Sequence, residues 1–163
     1  MARWFSLESA DADLFTSAPH VFVYVEHFAA PPQRVWESLA SDESIKAWTS
    51  SISSLRWTCP PPRGLGATRE VGLGPSKVHE RFFRWDEGRG YAFYVYEANS
   101  PLFRRFGEDY VLEPDGDGTR FTWTVAIEPR PALRLPFKAL APVLKAAFGR
   151  VPGEGKRYFA NSG

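Results

Sequence analysis

The sequence predicts an α+β fold of about seven antiparallel strands, with two short helices inserted after the first strand and a helix at the C-terminus. Three observations carry this expectation. A strand-like run gives way to helical spacing at Pro31-Pro32, a series of strand-like runs punctuated by Gly-rich turns follows, and the last apolar periodicity is helical. At 163 residues the chain suits one domain with a sizeable core.

Residues 1–19 read as an N-terminal extension, with Trp4, Phe5, Leu7, Leu14 and Phe15 scattered among polar residues up to Pro19. It either packs on the body as a short helix or stays mobile. Residues 20–163 are expected to form a single domain. Over 20–28 Val21, Val23 and Val25 fall on one face and Phe22, Tyr24 and Phe28 on the other, and this β-branched and aromatic content points to a strand. Pro31 and Pro32 cannot donate to a sheet ladder, yet their fixed φ suits the first turn of a helix. Val35, Trp36, Leu39 and Ala40 then share one helical face, while Gln33, Arg34, Glu37 and Ser38 stay wet. Asp42 is placed to cap a second short helix whose buried edge is Ile45 and Trp48.

Strands follow at 52–58, ended by Pro60-Pro61-Pro62, and at 67–71, turning at Gly72-Leu73-Gly74-Pro75. Those at 76–85 and 91–98 flank D-E-G-R-G, and those at 106–112 and 119–128 flank P-D-G-D-G, both hairpin signals. In the last strand Phe121, Trp123, Val125 and Ile127 share the face expected to look inward. Near the C-terminus Phe137, Leu140, Leu144, Phe148 and Val151 recur at helical spacing, opposed by Arg134, Lys138, Lys145 and Arg150. Pro152, Gly153 and Gly155 interrupt the pattern, so the helix is expected from about Pro142 to Gly149, with a kink or second turn through Tyr158. Trp36, Leu39, Trp48, Phe121, Trp123, Val125, Leu140, Leu144 and Phe148 make up the expected core.

Two of these stretches carry a resemblance. A strand ending in Ala30-Pro31-Pro32, then Val35 and Trp36 on a helical turn, Asp42, and a short helix closing on Trp48 resemble the START-related, Bet v 1-like superfamily, often labelled polyketide cyclase/dehydrase and lipid transport. Leu112-Glu113-Pro114, residues 116–119 and Trp123 resemble the same family's hairpin, and the likeness covers roughly residues 21–150. It implies a helix-grip fold, which has this element order and in which a curved antiparallel sheet of about seven strands wraps around the C-terminal helix, and a cavity between sheet and helix as the natural small-molecule site. Neither motif is catalytic.

The residues themselves exclude several function classes. His20, His27 and His79 have no Cys or His partner at ligand spacing, so no metal is expected. There is no G-x-S-x-G, and Gly72-x-Gly74 and Gly116-x-Gly118 are hairpin turns without the helix a phosphate loop requires, so no cofactor is expected either. The aromatic run at 91–96 with Phe82-Phe83 has Glu80, Asp86, Glu87 and Glu97 beside it rather than a basic patch, which argues against nucleic acid. A lone Cys59 excludes an intramolecular disulfide and fits a reducing compartment. With no apolar run long enough for a signal peptide or a membrane span, a cytoplasmic location is expected.

Fifteen per cent of the residues are aromatic, and that surface must line a filled core or a cavity. The ligand-facing set read from alternation is Tyr24, Trp48, Glu80, Phe82, Tyr94, Tyr96, Trp123, Leu140, Leu144 and Phe148. If Val78 and Phe82 point inward so does Glu80, and if Tyr110 and Leu112 do so does Glu108. A carboxyl in such a space has its pKa raised by desolvation, and with a nearby Tyr it could polarise an enolisable carbonyl. Alternatively Glu80 pairs with Arg69 on a neighbouring strand, or with Arg84. Resemblance and residues leave two readings open: binding or transport of a hydrophobic small molecule, lipid or polyketide-like, or a cyclase/dehydrase with Glu80 as base and a Tyr as donor. Residues 130–163 carry seven Lys or Arg against one acid, Glu154. This basic segment is either a solvated helix face or a site of transient contact with anionic membranes.

Overall fold

The computed structural model describes Met1 and residues 3–162. The chain runs β1 (Phe5–Ser6), α1 (Leu14–Ser17), β2 (His20–Phe28), α2 (Pro32–Ala40), a 3-10 turn (Ser44–Ala47), β3 (Ser54–Trp57), β4 (Thr68–Leu73), β5 (Ser76–Asp86), β6 (Gly90–Ala98), β7 (Phe103–Asp115), β8 (Gly118–Pro129), a second 3-10 turn (Pro131–Leu133) and α3 (Arg134–Asn161). All pairings are antiparallel, in the order β2-β8-β7-β6-β5-β4-β3, with β1 added beside β6. This is the helix-grip fold: the sheet's inner face holds α3, and the two short helical segments follow β2.

Alternation assigns the inner face. Phe121, Trp123, Val125 and Ile127 of β8 are buried, as are Phe22 and Phe28 of β2, whereas Val21, Val23 and Val25 stand exposed on the outside. The strand-to-helix switch at Pro31-Pro32 buries Val35, Trp36 and Leu39 under the sheet, and the Trp36 indole donates to Glu87 Oε1 at 2.9 Å. Trp48 meets Phe28, Phe121 and Phe159 at ring separations of 5.2–5.5 Å, which ties the second helical turn to β2, β8 and α3.

Helix α3 corrects the expectation of a short helix ending near Gly149. It is 28 residues long and passes through Pro142 and Pro152. Each proline removes one intrahelical donor, but packing on the inner face outweighs that loss: Phe137, Ala141, Val151, Pro152, Gly155 and Phe159 are all buried. Gly155 is a packing device, because a Cβ there would stand 3.0 Å from the Trp48 ring and 3.1 Å from that of Phe28. The expected apolar stripe is also displaced. Leu140 is 37% exposed, and Leu144 and Phe148 are half-buried.

The N-terminal residues dock on the sheet. Leu14 of α1 is fully buried against the outer face at Gly107. Pairing of β6 with β7 runs only from Gly90↔Val111 to Tyr94↔Gly107, and beyond that point β1 takes over, with Phe5↔Ala98 and Ser6↔Glu97. Leu7 N–H donates to Tyr96 and Glu8 N–H to Arg104, each at 2.9 Å, so the strap bridges the two diverging strands.

Candidate ligand cavity

Where β6 and β7 splay apart, the sheet and α3 do not close on each other, and a cavity of about 310 Å³ opens between them. One wall is helical, made by Leu140, Leu144, Ala147, Phe148 and Val151. The other is the sheet, with Leu73, Val78, Ala98, Phe103 and Phe106, and Lys77 and Arg150 also line the space. A smaller chamber of about 40 Å³ shares Leu73, Glu80, Glu108, Phe148 and Val151 with it and adds Arg69, Tyr110 and Trp123. Glu80 on β5 and Glu108 on β7 therefore stand where the two spaces meet.

The two carboxyls are held differently. Glu80 is 4% exposed and accepts a 2.5 Å hydrogen bond from Nε of Arg69, itself 1% exposed. The Arg69 guanidinium lies 4.9 Å from the ring centres of both Phe82 and Phe93 and donates to Ser44 Oγ at 3.0 Å. Ser44 has a left-handed backbone, φ 48°, held by this contact and by its own donation to the Leu39 carbonyl at 2.6 Å. The Glu80 pKa is raised: burial, the largest cause, pushes it up and outweighs the charge and hydrogen bond of Arg69, which oppose the shift. Because a guanidinium stays protonated in a protein, Arg69 and Glu80 form an ion pair.

Glu108 faces no such cation directly. Its Oε2 accepts from the Tyr110 hydroxyl at 2.8 Å and from the Trp123 indole at 2.9 Å. Burial and then the charge of Glu80 push its pKa up to about 8, against the lowering effect of those two donors. At neutral pH this shift favours the neutral acid.

Of the residues anticipated for the site, Glu80, Leu140, Leu144 and Phe148 line the cavity, and Trp123 lines its inner chamber. The others need correction. Tyr94 and Tyr96 are on the outer face, where Tyr94 pairs with Arg81 across the ladder and Tyr96 lies under the Arg81 guanidinium at 4.8 Å. The strand Y-A-F-Y-V-Y is apolar on both faces, so its polarity does not reveal its register. Trp48 and Phe82 point inward but sit in filled core, Phe82 stacked at 5.4 Å on Trp57. Tyr24 packs 5.4 Å from Trp123, and its hydroxyl donates to the Lys145 carbonyl of α3 at 2.6 Å. It is a tether between strand and helix, and burial and then the nearby Glu108 push its pKa up to about 12. Sequence reasoning did not single out Phe103 and Phe106. Their one signal is the F-R-R-F spacing that leads into Phe106, the first residue of the strand expected at 106–112.

A sheet gripping a helix, with an apolar cavity between them and polar groups at its depth, defines a helix-grip domain with an internal ligand-sized space. The chain belongs to the polyketide cyclase / dehydrase and lipid transport family, whose model matches residues 19–153. An uncharacterized protein of Mycobacterium tuberculosis is 30% identical over 143 residues, covering 87% of this chain and 86% of that protein. Among solved structures, TTHA0849 from Thermus thermophilus is similar with a TM-score of 0.71 at 19% identity, covering 88% of this chain and 99% of the other. Ara h 8.0201 gives a TM-score of 0.65 at 17% identity, covering 87% and 98%. DynU16, from the dynemicin biosynthetic locus, gives 0.61 at 17% identity, covering 87% of this chain and 48% of its own. These likenesses establish the shared Bet v 1-like fold.

Proposed function

We propose that the protein binds and carries an apolar small molecule, a lipid or polyketide-like compound, in the cavity between α3 and the sheet. The observation that carries this reading is a cavity of about 310 Å³ walled by Leu140, Leu144, Phe148, Phe103 and Phe106, within the size range of small-molecule sites. Its two inner carboxyls are compatible with an apolar guest, one paired with Arg69 and the other shifted toward the neutral acid at pH 7. Burial of the ligand's apolar surface, worth ~25 cal/mol per Å², would drive binding. Titration with a long-chain fatty acid, followed by Trp fluorescence, tests the reading. Saturable quenching that is lost in Leu144→Trp supports it, and quenching unaffected by that substitution argues against this cavity.

The carrier reading extends to membranes. Lys156 is held by Glu26 at 3.2 Å, but Arg134, Lys138, Lys145 and Arg150 stand exposed along α3. Between them Leu135 is 77% and Val143 63% exposed, and Leu140 joins this surface to the cavity wall. Apolar side chains between cations suit the interface of an anionic bilayer, where a cytoplasmic carrier would exchange its ligand. Co-sedimentation with phosphatidylserine vesicles at low salt is expected, weakened by Lys138→Glu with Lys145→Glu. Equal binding of the variant would remove the membrane step.

The catalytic reading of this cavity had Glu80 as base. Its carboxylate is taken up by the 2.5 Å hydrogen bond from Arg69 rather than free to reach a substrate proton, and Tyr94 and Tyr96 lie outside its reach on the opposite face. We therefore favour binding over cyclisation or dehydration by Glu80.

A further inference from the structure

We propose that Glu108 is a specificity-determining residue whose free oxygen, Oε1, donates a hydrogen bond to an uncharged acceptor, a carbonyl oxygen, at the buried end of the ligand. This deepens the carrier reading and rests on it.

The geometry allots the two oxygens different tasks. Oε2 already accepts from the Tyr110 hydroxyl and the Trp123 indole, which are donors in these contacts. Among the described residues Oε1 has no hydrogen-bond partner, and it is not one of the side-chain atoms sealed in protein without one. It borders the space that Glu108 lines, at the junction of the main cavity and the inner chamber. An acid whose Oε2 accepts two hydrogen bonds carries its proton on Oε1, which here faces a space with mainly apolar walls. A hydrocarbon that fills the cavity seals this donor from water and leaves it unpaired, at a cost, so a ligand supplying an acceptor there is favoured over a pure hydrocarbon of equal size.

The groups facing Glu108 agree with this assignment. Glu80 on β5 lies on the same inner face, and its negative charge disfavours a second one. Arg69 on β4 is turned to Glu80 and Ser44. Tyr110 on β7 gives its proton to Oε2, and Tyr24 on β2 gives its own to Lys145. Arg150 of α3 and Lys77 of β5 are exposed lining residues and make no hydrogen bond to the Glu108 carboxyl among the described residues. An anionic ligand end would meet Glu80, whereas a ketone, ester or quinone oxygen would meet a donor.

The test uses a medium-chain methyl ketone and the alkane of the same chain length, with affinity read by Trp fluorescence and calorimetry on the full chain. Below pH about 8 the ketone is expected to bind about tenfold more tightly than the alkane, the worth of one well-placed hydrogen bond. Above that pH Glu108 ionises, and the preference should disappear. Glu108→Gln keeps the volume and an N–H donor, so it should retain the preference but lose its pH dependence. Glu108→Leu should bind both probes alike, its alkane affinity serving as the check on folding. Equal affinities in the unaltered protein, or a preference that survives in Glu108→Leu or at high pH, would overturn the assignment of Glu108 and leave the carrier reading standing. If neither probe binds the unaltered protein, the carrier reading falls, and the assignment falls with it.

Discussion

Replacing Arg69 by Met leaves the Glu80 carboxyl buried without its cation. Both partners are nearly inaccessible, 1% and 4% exposed, and their 2.5 Å contact is charge-assisted. Breaking a desolvated pair by removing one member costs ~3–5 kcal/mol, against a total stability of roughly 5–15 kcal/mol for a domain. The Ser44 hydroxyl also loses a donor that helps hold its left-handed backbone. In a urea titration with a slope near 2 kcal/mol per M, a loss of about 4 kcal/mol moves the midpoint down by about 2 M. The double variant Arg69→Met with Glu80→Met should recover most of that loss, because an apolar pair of similar volume replaces a buried ion pair at little cost or none. A single variant that loses less than about 1 kcal/mol, as an exposed pair would, would refute the claim that the pair is desolvated. The same result would reopen Glu80 as a free acid.

Three further outcomes follow from the geometry. Because the folded Glu108 pKa is raised from 4.5 to about 8, its contribution to stability is intact below the lower value and is lost as pH rises through the upper one. The full window is worth on the order of several kcal/mol, and urea titrations across it should show a decline that Glu108→Gln flattens. On α3, Gly155→Ala should lower the melting temperature through a loss of about 1–2 kcal/mol against Trp48 and Phe28, while Gly153→Ala, with nothing within 4 Å, should gain up to about 1 kcal/mol in helix propensity. Equal effects would contradict the close approach of the helix at Gly155. Leu14→Ala should cost at least about 2 kcal/mol in urea, since its side chain is fully buried on the outer face, and a change within about 0.5 kcal/mol would show that α1 does not dock there.

The legible parts of this fold were those where polarity and periodicity agree. Pro31-Pro32 followed by Val35, Trp36 and Leu39, the two Gly-rich hairpins, and the inward set of β8 each follow from a local rule, and each is found in place. Helix α3 outruns its local pattern because Pro152 and Gly155 are helix breakers only in an isolated segment, whereas here both are buried against the body. The facing of Tyr94 and Tyr96 escapes alternation because β6 is aromatic on both faces and bulges against β5 beside His79 and Glu80. Alternation did suggest that Glu80 and Glu108 face inward. It could not say which would meet a cation, since that depends on Arg69 arriving from β4 and on Tyr110 and Trp123 converging from β7 and β8. The cavity itself arises from the divergence of β6 and β7 beyond Tyr94 and Gly107, a three-dimensional feature with no local sequence mark.

Native mass spectrometry of the protein purified gently from cells, side by side with Leu144→Trp, addresses the carrier reading at its root, because Leu144 stands in the cavity wall. The unaltered protein should retain a small apolar molecule in the gas phase, and the variant, its space filled by the indole, should fly without it. Retention of the same molecule by both, or by neither after exposure to lipophilic extracts, would contradict a ligand held between α3 and the sheet.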